Sequence, residues 1–157
     1  MTLKMMQALY SFVLVFVTAW ISKYIVDLGL IPYYDMLDKP AFTPDKKYFS
    51  YAWWLIYFLQ FVSFYLVLSS RKTLEQFDDA NALFASQLFL QIVWVFSFFY
   101  MQQLGASAIV IIFLDMVAAL MMHTFIFINL WSFILLLPYL AWLIFATVLN
   151  IYIYFMN

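Results

Sequence analysis

The stretch ASAIVIIFLDMVAALMMHTFIFI, Ala106 to Ile128, decides the class of this protein. It is apolar without a break from Ala108 to Leu114 and carries one charge, Asp115. A transmembrane strand alternates apolar and polar positions over short segments, so this run reads as a helix long enough for the roughly 20-residue hydrocarbon core of a bilayer. Four more such runs surround it, near Met5 to Val26, Tyr48 to Leu68, Asn81 to Met101 and Phe133 to Phe155. The expectation is an all-α, integral membrane bundle of five transmembrane helices, with 1–157 as a single domain. Lys4 and the apolar run after it resemble a secretory leader, but no small-x-small cleavage pattern precedes Lys23, so the run is read as a retained first span.

Composition points the same way. Of 157 residues, 69% are hydrophobic and 10% charged, against about 25% charged in a soluble domain. From Ala80 onward Asp115 is the only charged side chain. A soluble enzyme is excluded, and with seven basic against eight acidic residues and no basic stripe so is a nucleic-acid binder. The chain has no cysteine and one histidine, which removes disulfides, thiolate metal sites and a zinc site built on histidines. The basic residues are shared almost evenly, Lys4, Arg71 and Lys72 on one side and Lys23, Lys39, Lys46 and Lys47 on the other. The positive-inside rule therefore selects no orientation, and the sequence does not say which membrane is occupied.

The connections are unequal. Gln102 to Gly105 and Asn129 to Ser132 are tight links between antiparallel neighbours, whereas Asp27 to Lys47 is far longer than the two to eight residues common between packed helices. Pro32, Tyr33, Tyr34, Pro40, Phe42 and Pro44 stiffen it and give it apolar surface, so it is expected to fold over the bundle mouth. Thr43 is placed to cap the second helix with Pro44 in its first turn, and Asp78 or Asp79 to start the third.

Three helix faces carry aromatic rings beside amides: Trp53, Tyr57, Gln60 and Phe64; Gln87, Gln91, Trp94 and Phe98; Pro138, Trp142, Ala146 and Asn150. Pointed inward they would enclose a slot for a flat, mostly apolar molecule. The competing reading is plain helix packing, because Gln, Asn and small residues also join helices in membranes. Trp20 and Trp131, near span ends, fit the interfacial aromatic belt. Asp115, near mid-span, is expected to face inward as a structural anchor in preference to a proton relay, for which the spans offer it no titratable neighbour. His123 reads as an interfacial polar group more than as an axial haem ligand.

The run Pro138-Tyr-Leu-Ala-Trp142-Leu-Ile-Phe-Ala146-Thr-Val-Leu-Asn150 resembles the signature of the translocator protein or tryptophan-rich sensory protein family (TspO/MBR). Lys39-Pro-Ala-Phe-Thr-Pro44 followed by Trp53 is similar to that family's loop and second-helix tryptophan, and Leu90, Trp94, Phe98 and Phe99 fit its third-helix pattern loosely. Phe42 stands where the family has a loop tryptophan and Gln91 where it has asparagine. The chain has only two glycines, so any glycine-mediated helix contact of relatives is expected to use Ala or Ser here. No basic residue follows Lys72, so the sterol motif of animal members is not supported.

The resemblance implies a pocket beneath the first loop, often in a homodimer, that binds porphyrin or haem. It implies Trp53 and Trp142 as paired indoles, with Tyr34, Tyr57, Gln91, Trp94, Ala146 and Leu149 completing the ligand site. No cofactor is required and no metal ligand set is expected. The function it implies is tetrapyrrole binding or sensing, with tryptophan-assisted photochemical porphyrin degradation at Trp53 and Trp142 as the one enzymatic activity left open. The alternative is a transporter of porphyrins or other apolar, sterol-like ligands.

Overall fold

The computed structural model describes residues 2–29 and 33–157. Pro32 of the long connection lies outside them. The described residues form five helices: α1 (Leu3–Gly29), α2 (Lys46–Ser70), α3 (Leu74–Val95, continued by a π-helical turn Phe96–Tyr100), α4 (Leu104–Ile128) and α5 (Leu130–Met156). Each is long and apolar enough to cross a membrane. At 1.5 Å rise per residue, 25 residues reach about 37 Å, more than the roughly 30 Å hydrocarbon core. Most helix ends therefore extend beyond the apolar runs, whereas α4 stops at Ile128 with its run and the π turn ends at Tyr100, one residue inside its own.

Going round the bundle, each helix meets its neighbours in the order α1, α2, α5, α4, α3 and back to α1. All five helices contribute to one core. Near its middle, Phe64 and Phe84 stack with centroids 3.9 Å apart, and Phe125 lies 6.2 Å and 6.3 Å from them. Tyr139, Leu143 and Met121 are fully buried beside them. The opposite faces present Ile109, Phe113 and Met116 outward, as a lipid-facing surface requires. Trp20 and Trp131 also point outward.

Two helix starts differ from the sequence expectation. Thr43 does not cap α2: its hydroxyl donates to the Pro40 carbonyl at 2.7 Å, closing a turn, and α2 begins at Lys46, where the Asp45 carbonyl accepts from the N–H groups of Tyr48 and Phe49. Neither Asp78 nor Asp79 starts α3. Thr73 does, accepting from the Gln76 N–H at 3.1 Å while the Gln76 side chain accepts from the Lys72 N–H. This Thr-x-x-Gln arrangement is close to a capping box. The polar first turns of α3 lie beyond the apolar run, so hydropathy alone did not mark them.

The long connection does fold over one end of the bundle. Tyr34 is buried against Phe98, Leu149 and Ile153. The Lys39 ammonium donates to the carbonyls of Tyr34 and Leu37, both at 2.7 Å. The Asn157 amide exchanges two 2.9 Å hydrogen bonds with the backbone of Asp38. Phe42 packs edge-on against Tyr152 and Phe145, on the outer side of α5.

Gly29 makes a close contact that the sequence alone did not mark: a Cβ at this residue would lie 2.2 Å from the Phe99 carbonyl oxygen, so the end of α1 meets the π turn through a glycine.

Candidate functional site: an aromatic cavity beneath the first connection

Beneath Tyr34 lies a cavity of about 230 Å³ walled by α1, α2, α3 and its π turn, and α5. The sequence of α2 brings Trp53 and Tyr57 to it at a spacing of four, one above the other on a helix face. α3 contributes Gln91 and Trp94, and α5 contributes Ala146 and Leu149. Trp53 and Trp94 face each other across the α2–α3 side with centroids 5.8 Å apart and planes at 40°, and Tyr57 lies 5.9 Å from Trp53. The small Ala146 leaves width on the opposite wall.

Seven of the eight residues singled out from the sequence thus share this cavity, Tyr34, Trp53, Tyr57, Gln91, Trp94, Ala146 and Leu149. Trp142 does not line it. Its ring packs at 5.2 Å against both Phe49 and Phe145, and its buried N–H has no hydrogen-bond partner among the described residues. The indole pair of the cavity is therefore Trp53 with Trp94, not Trp53 with Trp142. The reason is geometric. At 3.6 residues per turn, a step of four residues turns the face by about 40°, so Pro138 is exposed, Trp142 half-buried, and only Ala146 and Asn150 point inward.

Polar groups fix the walls. The Trp94 N–H donates to Asn150 Oδ1 at 2.9 Å, and the same oxygen accepts from Ser107 at 3.1 Å. Asn150 in turn donates to the Leu104 carbonyl at 3.3 Å. One α5 side chain thereby ties α3 to α4. Gln91 donates to Gln87 Oε1 at 2.5 Å and to the Tyr139 hydroxyl at 3.2 Å, while Tyr139 donates to Gln87 Oε1 at 2.9 Å. Two buried atoms of cavity-lining side chains, Ser22 Oγ and Gln91 Oε1, have no partner among the described residues. Both atoms are sealed from the cavity by the packing around them, so they belong to the helix contacts and not to the surface a ligand would meet. Burial, and secondly the Asp35 carboxylate, raise the Tyr34 phenol above its ordinary pKa of 10.0, so the ring covering the cavity stays neutral at physiological pH.

The exposed lining residues, Lys23, Asp27, Lys46, Ser50 and Trp54, all come from α1 and α2, so the cavity opens between those helices. Sequence reasoning placed no wall on α1 and did not single out Trp54. The available signal was Ala19, Ser22 and Val26, a stripe at helical spacing, but its small side chains look like ordinary helix packing. Asp115 and His123 lie elsewhere. Asp115 accepts from Thr147 at 2.7 Å, joining α4 to α5, and His123 is on the outer surface beside Phe127. No group of acidic, histidine or cysteine side chains able to hold a metal occurs among the described residues.

The TspO/MBR family model matches residues 11–156. The tryptophan-rich protein TspO of Archaeoglobus fulgidus is 35% identical over 125 residues, covering 80% of each chain. The tryptophan-rich sensory protein of Cereibacter sphaeroides is 32% identical over 118 residues, 75% of this chain and 72% of its own. The tryptophan-rich protein TspO of Chlorobaculum tepidum is 32% identical over 125 residues, 80% and 79% of the two chains. With its five membrane-spanning helices, this chain is an integral multi-pass membrane protein and belongs to the TspO/MBR family.

Proposed function

We propose that this protein binds a tetrapyrrole in the cavity beneath its first connection and acts as a membrane sensor for it; the Cereibacter sphaeroides relative is called a tryptophan-rich sensory protein. The observation that carries the reading is the Trp53–Trp94 pair, two indoles of a closed aromatic wall with Tyr34 above them. Offset and tilted rings gain about 0.5 to 1.5 kcal/mol per aromatic contact beyond simple burial, and a flat conjugated ring offers two faces for such contacts. An excited porphyrin lying against these indoles exchanges an electron with them, which quenches its fluorescence.

Among the described residues the cavity is lined by no histidine, cysteine or methionine, and Tyr34 and Tyr57 are the lining side chains of a type that holds haem iron in other proteins. The homodimer belongs to the same proposal and is supported by the family resemblance alone.

The deciding experiment is a titration of the purified, nanodisc-embedded chain with protoporphyrin IX, followed by absorbance and by porphyrin and tryptophan fluorescence in the dark and then under illumination. Saturable quenching with a displaced Soret band is expected. A linear response equal to that of protein-free nanodiscs overturns the reading. Loss of the Soret band in light beyond the protein-free rate adds photochemistry to binding.

A further inference from the structure

At the end of the bundle opposite the aromatic cavity, α2 stops at Ser70 and α3 starts at Leu74. The last carbonyls of a helix have no partner within it. That of Leu68 is met from two sides, by the Gln7 amide of α1 at 2.9 Å and by Arg71 Nε at 3.2 Å. The Arg71 guanidinium also lies over the Phe77 ring, 4.2 Å from its centroid, within reach of a cation–π contact. A carbonyl and a ring thus hold it in place. Between these helix ends lies a recess of about 310 Å³, whose walls include Leu3 and Gln7 of α1, Arg71 and Lys72 of the link, and Leu74 of α3.

The two cations have donors to spare. A guanidinium carries a fork of N–H groups, and Arg71 spends only the one at Nε; its Nη1 and Nη2 have no partner among the described residues. Lys72 is tied in through its backbone N–H, which donates to Gln76, and neither residue takes part in the ion pairs formed among the described residues. Glu75, Asp78 and Asp79 follow on α3, but none of them lines the recess. Capping the end of α2 accounts for a single N–H. It leaves the Arg71 fork and the Lys72 ammonium unexplained.

Position narrows the anion that would use them. The apolar run of α2 ends at Leu68, so the recess sits where hydrocarbon gives way to headgroups. Leu3 and Leu74 on its walls are 67% and 78% exposed, an apolar surface that a free ion would leave bare and an acyl chain would cover. We infer that the recess holds the phosphate of a membrane phospholipid with a net negative headgroup, between the planar Arg71 fork, which matches phosphate oxygens two at a time, and the Lys72 ammonium, with Leu3 and Leu74 against the start of its chains. A choline headgroup brings its own cation to the same place and is disfavoured. The site is independent of the aromatic cavity and of what that cavity binds.

The test is native mass spectrometry of the full chain in detergent micelles, titrated with phosphatidylglycerol and with phosphatidylcholine of the same chain length. The wild type is expected to prefer phosphatidylglycerol about five- to thirtyfold, the attraction of one to two basic groups for an anionic lipid converted to a ratio of affinities. That comparison needs no variant to fold. Lys72→Met, which removes no hydrogen bond of the fold, is expected to lower the ratio about two- to fivefold, and Arg71→Gln with Lys72→Met to bring it near one. Lys47→Met, at the other end of the bundle, is expected to leave it unchanged. A further arm titrates inorganic phosphate against bound phosphatidylglycerol at constant ionic strength, and no displacement is expected. Equal wild-type affinity for the two lipids, a preference that Lys72→Met leaves intact or that Lys47→Met lowers as much, or displacement of the lipid by inorganic phosphate overturns the inference.

Discussion

Replacing Gly29 by alanine tests whether the contact between α1 and the π turn holds one corner of the cavity. The added Cβ would sit 2.2 Å from the Phe99 carbonyl oxygen, 2.6 Å from its carbonyl carbon and 3.1 Å from its Cβ. Carbon and oxygen atoms in close contact lie about 3.3 Å apart, so the two segments must separate by about 1 Å. Both sides of the contact are backbone, one the end of a helix and the other part of a π turn, and no flexible side chain can yield. Overpacking of this kind costs about 1 to 3 kcal/mol, while alanine recovers at most about 1 kcal/mol of helix propensity. A contact between two backbones lies at the upper end of that cost, so even with the full recovery a net loss of about 2 kcal/mol remains, which lowers Tm by about 4 to 8 °C for a chain of this size.

Gly105→Ala provides the contrast. Its Cβ would meet the Tyr154 ring edge at 3.2 Å, a side chain 47% exposed and free to swing, so this variant is expected to melt at or above the wild-type temperature. Thermal unfolding in one detergent, followed by tryptophan fluorescence, measures both. Because Val26 and Asp27 of α1 and Phe98 and Phe99 of the turn line the cavity, Gly29→Ala is also expected to alter porphyrin affinity. A Gly29→Ala protein as stable as the wild type refutes the close approach and the role given to the corner.

Trp53→Phe is expected to weaken porphyrin quenching about two- to tenfold, one aromatic contact expressed as an affinity ratio, whereas Trp142→Phe leaves it unchanged; the reverse ranking in a fluorescence titration would return Trp142 to the site. Asn150→Ala strands the buried Trp94 N–H and releases Ser107 and the Leu104 carbonyl, so a loss of about 2 to 4 kcal/mol is expected, read as a lower midpoint in denaturant. Tyr34→Ala removes the ring packed on Phe98 and Phe99 and is expected to speed ligand release in stopped flow; an unaltered off-rate makes the connection a mere link. Since burial raises the Tyr34 phenol above its ordinary 10.0, ionisation opposes docking: the docked ring is favoured at lower pH, and that advantage is lost as pH rises past about 10. Tyr34→Phe is expected to abolish that part of the pH dependence of ligand release.

Five spans were legible because an unbroken apolar run of about 20 residues has few other uses. Their ends were not, because a helix continues into the headgroup region wherever a capping pattern such as Thr73 to Gln76 extends it. The α2 and α3 walls were legible because rings and amides recur there at three- and four-residue spacing on one face. The α5 wall was only half legible. Equal steps of four suggest a single stripe through Pro138, Trp142, Ala146 and Asn150, yet its accumulated rotation puts the first on the outside and the last in the core. The α1 wall escaped notice because Ala19, Ser22 and Val26 carry no chemistry until Trp53 and Trp94 are set opposite them.

The hydrogen bonds decide what the cavity reads. Trp94 has committed its only donor to Asn150, so it offers a ligand nothing but a ring face, and that face is held still by a side chain bonded in turn to α4. Gln91 has spent its donor on Gln87 and Tyr139, and its free oxygen, like that of Ser22, is shut off from the cavity. A rigid aromatic wall discriminates by flatness and width, because a tilted pair of rings 5.8 Å apart cannot repack around a bulky sp³ skeleton at the cost of a rotamer change alone. Substitutions on the wall are therefore expected to change which ring shapes bind.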